Sequence, residues 1–162
     1  MMRPDWLPNI VNVNGVWEQV LVMLFRIFSA DFVNAQRSFE GREIRWDDRK
    51  LDGMYDEGFW HLITRTDQSS GQRLPDFRRA ERLPWCGPTV SNSTENVVKV
   101  WDYREGTGRL RTYLWLEHWD YVVILEKRPH RRAEIAFLVT AYYIGGASTR
   151  RNLQRKYVQR VI

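Results

Sequence analysis

The chain has a single cysteine, Cys86, three histidines and no long uninterrupted apolar run. One cysteine excludes an intramolecular disulfide framework, the usual mark of a small secreted domain, so a reducing compartment such as the cytoplasm is expected. The most apolar stretch, residues 16–28, is broken by Glu18, Gln19 and Arg26 and is too short and too polar to span a bilayer. No membrane anchor and no secretory signal peptide are expected. His61, His118 and His130 lie far apart, which leaves no zinc-like ligand spacing, and Asp47-Asp48 reads as a solvated loop pair rather than a magnesium site. A phosphate-binding P-loop, a dinucleotide-binding glycine pattern and a nucleophile elbow are all missing, so neither a metal nor an organic cofactor is expected.

What is present is a globular composition: 162 residues, 43% hydrophobic and 28% charged. That length supports one domain with a real core. Charge is unevenly spread, with 12 basic and 14 acidic residues over 1–96 against 13 basic and 6 acidic over 97–162. A half-chain carrying +7 attracts polyanions, nucleic acid being the commonest, although a basic solvated surface has the same composition.

The periodicity predicts an α+β fold: N-terminal helices packed on a four-stranded antiparallel meander, followed by a short C-terminal helix. Residues 1–40 form the N-terminal helical part, because Val16, Val20, Met23, Leu24, Ile27 and Phe28 recur at helical spacing. Residues 41–96 are irregular: 42–49 suggest a short polar edge strand, and Asp76 caps a short helix that Pro84 ends. Strands are expected at 97–103, 109–117, 121–127 and 134–143, joined by hairpin-length links. Gly145-Gly146 stops the last one, and Ser148 caps a basic helix over 147–158.

Alternation puts Val98, Val100, Leu110, Leu114 and Leu116 on the core face of the sheet. Lys99, Trp101, Tyr103, Arg111, Tyr113 and Trp115 fall on the opposite face, and Thr140 and Tyr142 join them if the register of the last strand allows. Two uses compete for those aromatics. They stack nucleic-acid bases, or, for Trp101 and Trp115 especially, they pair across strands beneath a second layer of helix.

RNA cleavage without metal needs a base for the ribose 2′-hydroxyl, an acid for the leaving oxygen and donors for the developing phosphorane charge. His61 is the candidate proton carrier because imidazole titrates near neutrality, its alternative being a packed, hydrogen-bonded core histidine. Lys99 and Arg111 suit phosphate, Thr140 and Tyr142 are hydrogen-bond donors, and Trp101, Tyr103, Tyr113 and Trp115 are candidate base-stacking residues.

The segments LDGMYDEGFWHLITR, DFRRAERLPWCGPTV, VVKVWDY, RTYLWLE, DYVVILEKR and FLVTAYYIGG, spread over about residues 50–157, resemble the phage-associated nuclease-like proteins of the Barnase/EndoU/colicin/RelE group (the BECR fold). The resemblance implies N-terminal helices before a four-stranded antiparallel sheet and a metal-independent, toxin- or effector-like endoribonuclease that leaves a cyclic phosphate. It points to His61, to Lys99 or Arg111, and to Thr140 and Tyr142 as catalytic positions. It further implies RNA, tRNA included, as substrate, and an inhibitor or immunity protein as partner. The rival readings are an RNA-binding protein without catalysis and a protein-interaction module of a phage or mobile element. Residues 1–40 lie outside the resemblance and are expected to be a family-specific or partner-docking addition.

Overall fold

β-Branched and aromatic residues dominate the second half, and there the chain forms the strands β5 (Lys99–Arg104), β6 (Leu110–Leu116), β7 (Tyr121–His130) and β8 (Ala133–Tyr143). Before them come α1 (Trp17–Phe28), β1 (Ser38–Phe39), β2 (Arg42–Arg45), α2 (Glu57–Ile63), β3 (Thr64–Thr66), β4 (Arg73–Pro75), α3 (Phe77–Glu81) and α4 (Leu83–Ser91), and after them α5 (Ala147–Val158). This is a computed structural model, and it describes residues 1–162. No helix is long and apolar enough to cross a membrane.

The fold is α+β, but its sheet has six strands in the order β1-β2-β8-β7-β6-β5 and is mixed. The expected meander β5 to β8 is present and antiparallel. It is extended because β2 pairs in parallel with β8 through Ile44–Ala136 and Arg45–Phe137, and β1 then pairs with β2. Residues 42–45 are therefore an internal strand and β1 is the edge, a long-range parallel pairing that local periodicity does not encode. A separate hairpin, β3-β4, brackets the polar segment after α2.

Two further expectations are corrected. Asp76 does cap α3, its carboxylate accepting from the Arg79 amide at 3.1 Å, but Pro84 opens α4 rather than ending a helix. Proline is tolerated in a first turn, where its missing N–H has no intrahelical acceptor. At the other end Gly146, not Ser148, occupies the N-cap of α5, and no side chain caps that helix. His130 closes β7 instead of lying in the following turn, which is left to Arg131 and Arg132.

The main core lies between the helices and one sheet face, with Val98, Leu114, Leu116, Val123, Leu125, Ala136 and Leu138 meeting Leu24, Phe28, Phe59, Leu62 and Val90. Phe28 of α1 sits among the rings of Phe25, Phe32, Trp46 and Phe59, all within 5.9 Å between centroids. The first 40 residues are packed into this core: the Val11 amide donates to the Glu81 carbonyl and the Trp85 indole to the Pro8 carbonyl. Cys86 is buried in the same core, and burial pushes its thiol up to about 12, so it stays protonated.

Close packing also sets Gly58 on α2. A Cβ there would stand 2.8 Å from Cβ of Trp46, whose indole is pinned by a 2.9 Å bond to Asp56. Gly58→Ala is expected to destabilise the fold by about 1–3 kcal/mol despite alanine's better helix propensity, readable as a lower urea midpoint. An unchanged midpoint would show that the indole has room to move.

Candidate functional site

The second sheet face carries a smaller apolar cluster of Trp101, Tyr113, Trp115, Val122, Ile124, Ile144 and Leu153, and α5 lies over it through Leu153 and Tyr157. Trp101 and Trp115 are buried there. Trp101 stacks on Tyr113 at 5.1 Å and meets Trp115 and Tyr157 edge-on. The expectation that Trp101 and Trp115 face a nucleic-acid base is therefore corrected: a second helical layer covers them. Tyr113 is likewise buried except toward one cavity, and Tyr103 stays half-exposed at the flank of α5.

Lys99 is also displaced from the role foreseen for it. It pairs with Glu117 at 3.2 Å and rests 4.6 Å over the Tyr157 ring, tucked at the α5 junction. Its cationic partner on the face, Arg111, is placed differently.

An open cavity of about 580 Å³ lies between the β5-β6 turn, the sheet and α5, lined by Glu105, Arg109, Arg111, Tyr113, Ile124, Thr140, Tyr142 and Lys156 among others. The register explains the convergence. Tyr113, Ile124 and Thr140 stand opposite one another in a single row across β6, β7 and β8. Arg111 lies two residues to one side of that row, and Tyr142, opposite Val122, two residues to the other.

Simple alternation would have put Thr140 in the core with Ala136 and Leu138. A bulge prevents this: Ile124 pairs with Thr140 but Leu125 pairs with Leu138, so Val139 is the extra residue and the side chains beyond it change face. Bulges re-aim side chains in this way and are enriched beside functional sites.

Beyond Phe137 the outer edge of β8 has no β2 partner, and α2 and α3 border it instead. That brings His61 near Thr140, though through the backbone. Thr140 Oγ1 donates to the His61 carbonyl at 2.9 Å and Arg79 donates to the same oxygen at 3.0 Å, satisfying a carbonyl that the helix end leaves unpaired. The imidazole does not line the cavity. The side chain is exposed, not a packed core histidine, and partial desolvation, then the Arg73 guanidinium, lowers its pKa from the usual 6.5, while Glu57 and Asp47 partly oppose this. It is therefore neutral at pH 7.

Four contributors escaped the sequence reading: Glu105, Arg109, Lys156 and Arg79. Glu105 and Lys156 pair at 3.1 Å, and the Tyr113 hydroxyl bridges them, donating to Glu105 and accepting from Lys156. Burial and then Glu105 raise the Tyr113 phenol well above the tyrosine range. Arg79 stands 5.6 Å over the Tyr142 ring; burial raises the Tyr142 phenol despite that cation. Both hydroxyls stay protonated at neutral pH. Nothing local marks these residues in the sequence, because their meeting depends on how α5 and α3 dock.

Glu126 gathers Arg109 at 2.7 Å, Arg128 at 2.9 Å and Arg111 at 3.4 Å. Burial opposes its ionisation, but Arg128 and Arg109 outweigh it and lower the pKa. One carboxylate facing three arginines leaves this end of the cavity positive. It also gives acid sensitivity. A lowered carboxylate stabilises the fold above its unfolded value near 4.5, and that contribution is lost as pH falls through the folded value. The depressed imidazole acts in the same direction, since the unfolded chain takes up its proton first as pH drops below about 6.5. Urea midpoints are thus expected to fall from pH 7 to 4, and Glu126→Gln should flatten the part below about 4.5. A midpoint that rose on acidification would refute both assignments.

No protein-family model, curated protein or solved structure matches the chain. No group of three or more His, Cys, Asp or Glu side chains is placed to hold a metal ion.

Proposed function

We propose that the chain is a metal-independent endoribonuclease whose scissile phosphate sits in the cavity between the β5-β6 turn and α5. The observation that carries this reading is the convergence of Arg111, Thr140 and Tyr142, from two strands and across a bulge, on one open, positively charged cavity. Arg111 and Arg109 would hold the phosphate oxygens, arginine's planar fork being suited to that geometry. Tyr142 supplies a hydroxyl donor for the charge that develops on those oxygens, while Thr140, its one proton given to the His61 carbonyl, positions the end of α2 beside the cavity. The neutral imidazole of His61, outside the cavity lining, would take the proton of a 2′-hydroxyl that the bound strand presents at the cavity edge. The 2′-oxygen attacks phosphorus to close a cyclic phosphate and expel the 5′-oxygen, which takes its proton from the Lys156 ammonium in the lining. Glu105, the only carboxylate lining the cavity, is the alternative base. Toxin or effector action, tRNA as a substrate and a cognate inhibitor belong to the same proposal.

Bulk RNA and tRNA incubated with the protein in EDTA are expected to yield fragments ending in a 2′,3′-cyclic phosphate. The acid limb of the pH profile should lie below 6.5, following the depressed imidazole, and vanish in His61→Ala. Intact RNA would sink the enzyme reading, and undiminished cutting by His61→Ala would transfer the base role to Glu105, tested by Glu105→Gln. RNA binding without cleavage is the second reading, favoured by the absence of the imidazole from the cavity lining. It predicts salt-sensitive binding and no cut. Burial of Trp101 and Trp115 leaves the third, an aromatic protein-docking face, with little support.

A further inference from the structure

Residues 147–162 contain Arg150, Arg151, Arg155, Lys156 and Arg160 and not one acidic residue. Of α5 only Leu153 is fully buried, so most of the helix is not used for packing. Its cations divide by what they touch. Arg150 is neutralised by Asp120 at 2.6 Å and Lys156 by Glu105 at 3.1 Å, and both face the protein.

Arg151, Arg155 and Arg160 are exposed and make no ion pair with any carboxylate. Arg155 bonds only the neutral Asn152, Gln159 and Tyr103 side chains, and Arg160 bonds the Tyr157 carbonyl and lies 4.4 Å over its ring. Arg151 and Arg155 are four residues apart, hence neighbours about 6 Å apart along one helix face. The strip adjoins the cavity, since Lys156 lines it and Arg155 touches Tyr103, the strand partner of Arg111.

We propose that the outer face of α5 and the turn that follows it form a phosphate rail, with Arg151 and Arg155 on the helix and Arg160 just past its end, that carries the backbone of a single-stranded RNA away from the cavity. This rests on the reading of the cavity as an RNA site and names its substrate class: a strand of several nucleotides, not a dinucleotide. Uncompensated arginines with no neighbouring carboxylate, continuous with a positive cavity, are what a sequence-tolerant polyanion groove requires.

The test separates binding from chemistry by using a 2′-O-methyl oligouridylate of about 16 nucleotides, which lacks the attacking hydroxyl. Binding to the full chain is measured between about 50 and 200 mM salt. Arg151→Gln/Arg155→Gln/Arg160→Gln should bind at least about tenfold more weakly, with a log–log salt slope shallower by about 2, as expected for three lost phosphate contacts. Cleavage of a dinucleotide, too short to extend from the cavity to the outer arginines, should be unchanged. Arg151→Gln/Arg160→Gln, which leaves the Tyr103 contact intact, should show about two-thirds of the slope change and guards against a folding defect in the triple variant.

Equal affinity and slope for variant and wild type would overturn the proposal. So would a loss confined to mixed phosphatidylcholine–phosphatidylserine vesicles, which would make α5 a membrane-facing helix. If wild type cuts no RNA yet the variants lose oligonucleotide binding as stated, the nuclease reading fails while the rail stands.

Discussion

Trp115→Ala is expected to destabilise the protein by about 3–5 kcal/mol, the cost of emptying a fully buried aromatic site. The side chain has no solvent exposure and supports both layers of the second face: Trp101 packs on it edge-on at 6.1 Å, and Arg150 of α5 sits 5.3 Å over its ring. For a chain of this size such a loss corresponds to a melting temperature lower by about 10 °C or more. Trp115→Phe should cost much less, roughly 1.5 kcal/mol or below, because the indole N–H has no hydrogen-bond partner to lose. Paired melting curves decide the role of this residue. A Trp115→Ala protein that melts like wild type but binds RNA poorly would restore the base-stacking role that burial takes from it.

Arg111→Ala is expected to reduce RNA cleavage by about 100- to 1,000-fold, the range seen when one preorganised donor to a developing oxyanion is removed. Its stability should barely change. The guanidinium is partly exposed, and Glu126 keeps Arg109 and Arg128 when Arg111 is gone. Arg111→Lys should recover little of the rate, since a single ammonium cannot form the two-pronged contact of a guanidinium. Thr140→Val, which removes the hydroxyl and leaves the shape, should lower the rate less and loosen the α2 end bound through the His61 carbonyl. Single-turnover cleavage alongside urea unfolding separates the two effects. Activity of Arg111→Ala within a few-fold of wild type would remove the cavity from the mechanism. Lys99→Ala should leave cleavage near wild type, its ammonium being committed to Glu117 and Tyr157.

The meander and its sidedness were legible in the sequence, because alternation of apolar and polar residues is a local property of each strand. Leu114 and Leu116 face the helices, while Arg111, Tyr113 and Trp115 share the other face. The same locality explains the stripe of α1 and the Asp76 cap. Where alternation was extended to function it went too far with Lys99, Trp101 and Trp115, since a face opposite one core is free only if nothing else covers it. The covering element, α5, is so polar that only Leu153 and Tyr157 betray its docking. β2 escaped as an internal strand for a related reason, its partner β8 being some 90 residues away.

By itself, then, the sequence determined which segments become strands, which strand faces are apolar and how cationic the second half is, all of which depend on neighbours in the chain. Tertiary structure decided the rest: that Val139 bulges and turns Thr140 and Tyr142 toward Arg111, that α5 covers the tryptophans and walls the cavity, and that His61 meets Thr140 by its carbonyl. Those contacts join residues tens of positions apart, and their geometry follows from packing helices onto a finished sheet rather than from any local preference.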